Sequence, residues 1–196
     1  MQFRKISTII ISSILIITTL SGCAKEDSYP ITNNKEIKVM NQTVKYEKSD
    51  SKEMSEVLSK VITDKKKLTL TFQGLGNEES LTKLLDELDK YNIKATFFVS
   101  GVKVVEDKDL AKMIVDRGHE IGNDTLSGAD LTSLDFNNKM IEIEKSEEII
   151  EDTLGIDVEY LRVGHNKTDD EVRQAAFQSG SKYIISYEIN PQDWMG

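Results

Sequence analysis

The stretch Tyr91-Asn92-Ile93-Lys94-Ala95-Thr96-Phe97-Phe98-Val99, followed by Gly118-His119-Glu120-Ile121-Gly122-Asn123-Asp124, decides how this chain folds. Ala95 to Val99 is a short run rich in aromatic and β-branched residues, which reads as a strand. Before it, Leu81, Leu84, Leu85, Leu88 and Tyr91 recur at helical spacing and predict one core-facing stripe over Glu79 to Tyr91. Asn77 is a plausible cap for that helix, and Glu78 and Glu79 suit the positive end of its dipole. A strand is expected over Leu68 to Phe72, a helix over Asp107 to Arg117, and a short strand near Glu120 to Gly122. Strands and helices that alternate in this way predict βαβ units and a parallel sheet.

The same alternation continues toward the C-terminus. A long helix is expected from Phe136 to Leu154, capped by Asp135, ended by Gly155, with Met140, Ile143, Ile150 and Leu154 turned inward. A strand over Tyr160 to Arg162 follows, then a helix over Asp169 to Ser179 behind a Thr168 to Glu171 capping box. Gly180 ends that helix, and Tyr183 to Tyr187 reads as the next strand. Toward the N-terminus the composition changes. From Ala24 to about Lys67 the chain is polar and charged and reads as a tether. Within it Met54, Val57, Leu58, Val61 and Ile62 fall on one helical face and predict a short helix.

With 196 residues and 38% hydrophobic content, the chain has enough apolar material for one globular core and not for a second full domain. Its net charge of −9 makes nucleic acid an improbable partner. Arg4 and Lys5 precede an apolar run from Ile6 to Leu20, the build of a secretory signal over residues 1–22. That run is short of the roughly 20 residues that a spanning helix needs. Leu20-Ser21-Gly22-Cys23 resembles the bacterial lipobox, which implies that Cys23 carries a lipid and anchors residues 23–66 to a membrane outside the cytoplasm. Cys23 is the single cysteine, so no internal disulfide forms.

From Lys67 to Trp194 the order and spacing of several segments resemble the polysaccharide deacetylase (NodB-homology) family. The resemblance implies an α/β fold, a deformed and incomplete (β/α) barrel, for a domain over residues 67–196 that stops before the family's last motif. Family members hold a divalent metal such as zinc with one Asp and two His residues, and remove acetyl groups from N-acetylated glycans. Here Thr71-Phe72-Gln73-Gly74 stands where the family has Thr-Phe-Asp-Asp-Gly, so Gln73 occupies the position of the general base and Gly74 that of a metal ligand. Asp124-Thr125-Leu126-Ser127-Gly128 stands where the family has two histidine ligands, at Asp124 and Gly128.

An amide accepts no proton at useful pH, and glycine offers a metal no side chain. One carboxylate falls short of the three protein ligands of a catalytic zinc site, so no metal cofactor is expected. The family's third motif, Arg-Pro-Pro-Tyr-Gly, appears as Arg162-Val163-Gly164-His165-Asn166, keeping the Arg and losing the prolines and the tyrosine, and its fourth, which ends in Asp-Trp, is matched by Asn190-Pro191-Gln192-Asp193-Trp194. By resemblance Arg162 pairs with Asp193, while Gln73, Arg162, His165, Asn166 and Trp194 are the candidates for glycan contact. His119 reads as structural, because it has no partner at ligand spacing.

Three functional expectations follow. The first is an anchored deacetylase-like protein without hydrolytic activity that at most binds an N-acetylated glycan such as peptidoglycan. The second is an active N-deacetylase whose atypical metal site uses Asp124, His165 and Asp193. The third is a structural or partner-binding lipoprotein.

Overall fold

A computed structural model describes residues 45–191. The signal segment, Cys23, Gln192, Asp193 and Trp194 lie outside the described residues. Six parallel strands form one sheet: β1 (Glu56–Leu58), β2 (Thr71–Gln73), β3 (Thr96–Val99), β4 (Glu120–Asn123), β5 (Tyr160–Leu161) and β6 (Tyr183–Ile185). Their spatial order is β1-β6-β5-β4-β3-β2. Five helices connect them: α1 (Glu78–Lys90), α2 (Gly101–Glu106), α3 (Lys108–Asp116), α4 (Phe136–Leu154) and α5 (Asp170–Gln178).

Successive strand residues point to opposite faces, and the two faces differ in chemistry. Phe97, Val99, Ile121, Leu161 and Ile184 point toward the helices and are buried among Leu81, Leu85, Ile114, Ile143, Ile150 and Ala175. Phe72 joins this layer by stacking on Phe97, with ring centroids 5.0 Å apart. On the other face lie Thr71, Gln73, Thr96, Phe98, Glu120, Gly122, Asp124 and Arg162, a largely polar lining. Arg162 shows that the sheet is curled. It donates from Nη2 to Thr71 Oγ1 of β2 at 2.9 Å and from Nε to the Ile185 carbonyl of β6 at 3.2 Å. In a flat sheet β2 and β5 would be separated by three strand spacings of about 4.8 Å, beyond the span of this one side chain. The result is a curled parallel half-barrel, helices outside and polar groups within.

Most helix readings hold. Asn77 caps α1 through a capping box with Ser80, Asp135 caps α4, and Gly155 ends α4 in the left-handed region at φ 68°. Five details differ. The helix expected around Met54 to Ile62 is instead β1, whose backbone pairs with the outer edge of β6. Pairing satisfies backbone groups on both strands, and the β-branched Val57, Val61 and Ile62 suit an extended chain better than a helix. The chain just before β1 is also less tether-like than its composition suggests. Gln174 donates to the Ser49 and Ser51 carbonyls, and Tyr46 N donates to Asn137 Oδ1 at 2.7 Å.

Tyr91 ends α1 as its C-cap and is exposed, leaving the apolar stripe to its leucines. Asp169, one residue after the expected cap, accepts from Val172 N and starts α5. Helix α2 was not anticipated from the sequence. His119 is structural, as expected. Its Nδ1 accepts from Ala95 N at 3.3 Å and its ring packs edge-on against Phe97. Nε2 is the one buried side-chain nitrogen or oxygen without a hydrogen bond among the described residues, and burial pushes the imidazole's pKa down.

Gly122 marks the tightest packing of the inner face. A Cβ there would lie 2.5 Å from the Phe98 ring, which is fully buried and has the Arg162 guanidinium 4.0 Å from its centroid. Gly122→Ala should therefore destabilise the fold by about 1–3 kcal/mol, an overpacking effect read as a lower urea midpoint. An unchanged midpoint would show that Phe98 is free to move.

Candidate functional site

Parallel α/β folds present ligands at the C-terminal ends of their strands. Three of the sequence candidates meet there. Gln73 ends β2, Asp124 follows β4, and Arg162 follows β5. Gln73 Nε2 lies 3.1 Å and 3.0 Å from the two Asp124 carboxylate oxygens, so a single amide nitrogen faces the whole carboxylate. Gln73 is exposed and Asp124 is only 6% exposed, so the amide sits on the solvent side of the acid. Arg162, 3% exposed, acts on Asp124 through its field, without direct contact.

Burial dominates the electrostatics of Asp124. It pushes the carboxyl pKa up to about 7, against the opposing pull of the Gln73 hydrogen bond and the Arg162 charge. Desolvation likewise lowers the pKa of the Arg162 guanidinium. The site therefore holds a carboxylic acid that ionises near neutrality beside a buried cation.

The loop after β4 is rigidly held. Asn123 donates to the Ile143 carbonyl and accepts from Thr125 N, which fixes the chain as it leaves the strand. Glu142, itself buried on α4, accepts from Ser127 N and Oγ, each at 2.9 Å, and Ser146 Oγ donates to the Thr125 carbonyl. The loop after β5 closes against it. A Cβ on Gly164 would lie 2.3 Å from the Ala129 carbonyl oxygen, so only glycine permits this approach. Lys167 Nζ reaches Asp130 Oδ2 at 2.6 Å across the same seam. His165, exposed, and Asn166, half-buried, stand at this seam with φ of 57° and 55°. Glu142, Ser146 and Thr71 were not singled out in the sequence. Glu142 and Ser146 lie one helical turn apart on α4, but nothing local shows which loop they face.

The residues do not fit the family's metal. Gly74 and Gly128 supply no side chain, and both oxygens of Asp124 are engaged by Gln73. Among the described residues no group of three or more His, Cys, Asp or Glu side chains could hold a metal ion. Asp193, the third member of the atypical set, lies outside the described residues, as does its expected pairing with Arg162. Gly74 and Gly128 both lie in the left-handed region, at φ 81° and 75°, with open space where a Cβ would stand.

The profile of the polysaccharide deacetylase family matches residues 60–184. The chain belongs to the polysaccharide deacetylase family. Among solved members of this family, a CE4 family pseudoenzyme from Bacillus anthracis is similar, with 28% identity and a TM-score of 0.63 over 66% of this chain and 46% of that one. A mutant of that pseudoenzyme with restored enzymatic activity gives a TM-score of 0.68 at 28% identity, covering 71% of this chain and 51% of that one. A peptidoglycan-N-acetylglucosamine deacetylase from Bacillus cereus is 29% identical over 68% of this chain and 48% of its own length. A chitooligosaccharide deacetylase from Rhizobium leguminosarum bv. trifolii is 29% identical over 67% of this chain and 61% of its own length. The chain thus spans less than two thirds of these curated deacetylases.

The sign of the Asp124 effect is testable. A carboxyl group whose pKa is raised on folding binds more protons folded than unfolded, so stability falls as pH rises from about 4 to about 7. The shift from 3.8 to about 7 corresponds to about 4 kcal/mol once the group is ionised. Asp124→Asn should leave stability unchanged near pH 4 and raise it by up to that amount at pH 8, measured by urea unfolding at both pH values. A variant weakened at pH 8 would mean that the ionised carboxylate is a net stabiliser.

Proposed function

We propose that this chain is an extracytoplasmic, lipid-anchored relative of the cell-wall deacetylases that no longer hydrolyses amides and at most binds an N-acetylated glycan at its strand ends. The observation that carries this reading is the Gln73 to Asp124 contact. Deacetylation at neutral pH needs a base and an activated water, and a metal lowers the pKa of bound water from 15.7 to about 7. At the base position stands an amide that takes no proton, and it faces the acid left at a ligand position. Loss of a general base alone removes about 10²- to 10⁴-fold in rate.

Support for the glycan comes from the named relatives, whose substrates are peptidoglycan and chitooligosaccharide. Support for the anchor comes from the apolar run from Ile6 to Leu20 and the lipobox-like segment that ends at Cys23. His165 and Asn166 stand on the loop after β5, which packs against the loop that follows Asp124, and Trp194 completes the proposed contact set. Acidic side chains dominate the chain, so recognition of a wall polymer must rest on local shape and hydrogen bonding.

Purified protein incubated with zinc and N-acetylated chito-oligomers or peptidoglycan should release no acetate. Metal-dependent release would overturn the loss of hydrolysis, and alanine at Asp124, His165 or Asp193 would then identify the working set. Retention on insoluble peptidoglycan should weaken in the double variant His165→Ala, Asn166→Ala, with no change in melting temperature. Retention that is absent in the parent protein would remove the glycan part of the reading.

Rebuilding the site should restore metal binding. Asp and His are among the residues that best tolerate positive φ, so Gly74→Asp and Gly128→His are compatible with this backbone. Combined with Gln73→Asp and Asp124→His, they should yield a zinc titration with one ion per chain. No heat of binding would show that the loops have departed from ligand geometry.

A further inference from the structure

The connector between β1 and β2, residues 59–70, breaks the pattern of this acidic protein. Ile62 is 95% exposed, Leu68 82% and Val61 79%. Lys65, Lys66 and Lys67 interrupt these apolar side chains, in a chain of net charge −9. Lys66, Lys67 and Leu68 line an open hollow of about 460 Å³ with Leu70, Ile93 and Lys94. Lys94 already pairs with Asp89 at 3.3 Å, whereas Lys65, Lys66 and Lys67 enter no ion pair among the described residues. Asp64 is the acidic neighbour within the connector. The hollow lies where the chain enters β2 and β3, at the N-terminal ends of those strands and opposite the Gln73, Asp124 and Arg162 site.

We propose that this face rests on the surface of a bilayer containing anionic phospholipid, with the three lysines at the headgroups and Ile62 and Leu68 inserted among them. Clustered exposed apolar side chains are uncommon on a protein that stays in water. Lysines interleaved with large aliphatic residues suit an interface that is charged outside and oily beneath. Each lysine held near an anionic leaflet strengthens attachment by about fivefold, so three supply roughly a hundredfold. The contact is selective, because the remainder of the acidic surface is repelled by the same lipids. Docking through this face would leave the strand C-terminal ends facing away from the membrane. The inference does not depend on lipid at Cys23 or on the glycan reading.

The test is hydrogen exchange on the full chain with vesicles of phosphatidylcholine alone and with vesicles that also contain phosphatidylglycerol. Exchange over residues 59–70 should slow with the anionic vesicles, stay fast with the neutral ones, and recover in high salt. The triple variant Lys65→Glu, Lys66→Glu, Lys67→Glu should lose this protection. The double variant Ile62→Ser, Leu68→Ser should weaken it with the charge intact. All of these side chains are exposed, so neither variant should lower the melting temperature. Equal exchange with both kinds of vesicle, failure to associate with anionic vesicles, or protection by a soluble wall polyanion but not by lipid would overturn the proposal.

Discussion

A guanidinium that is almost wholly buried must find its partners within the protein, and Arg162 finds them on both flanks of the sheet. Its hydrogen bonds to Thr71 and the Ile185 carbonyl draw β2 and β6 toward β5, and its plane lies over Phe98. The cation–π contact offsets part of the desolvation that comes with burial. A buried positive charge also sets the character of its neighbourhood. It favours the ionised form of Asp124 while burial favours the neutral form, and burial has the larger effect. The inner face is therefore organised around one residue, and Gly122, Phe98 and Asp124 have the sizes and charges that its presence permits.

The candidate site stands beside that arginine. Its strand ends carry an amide at Gln73, an acid at Asp124, and glycines at positions 74 and 128. Gln73 and Asp124 satisfy one another across the strand ends, and the loop that carries Gly128 is pinned by Glu142 and Ser146. Several hydrogen bonds from α4 thus hold the path of this loop.

Much of the architecture was legible in the sequence, because the decisive signals were local. Leucines at helical spacing marked α1, Asn77 and Asp135 marked helix starts, and the aromatic run marked β3. What escaped depended on distant partners. Glu56-Val57-Leu58 carries no strand pattern of its own and becomes one only because β6 offers an unpaired edge. Thr168 and Asp169 are both able to cap, and the folded chain uses Asp169. Motif order brought Gln73, Asp124 and Arg162 to one end of the sheet. The hydrogen bond from Gln73, the 91-residue separation between Thr71 and Arg162, and the support from Glu142 required the folded chain.

Strand β1 has a practical consequence for anyone who divides this protein. It spans Glu56–Leu58, just ahead of the family match that begins at residue 60. A fragment cut at the family boundary would leave the edge of β6 bare, with a row of free amides and carbonyls next to apolar side chains. Such an edge recruits strands from neighbouring molecules. It would also lose the contacts that Gln174 and Arg173 make with residues 49–55. The boundary of homology and the boundary of the folding unit therefore fall in different places, and only the second gives a well-behaved sample.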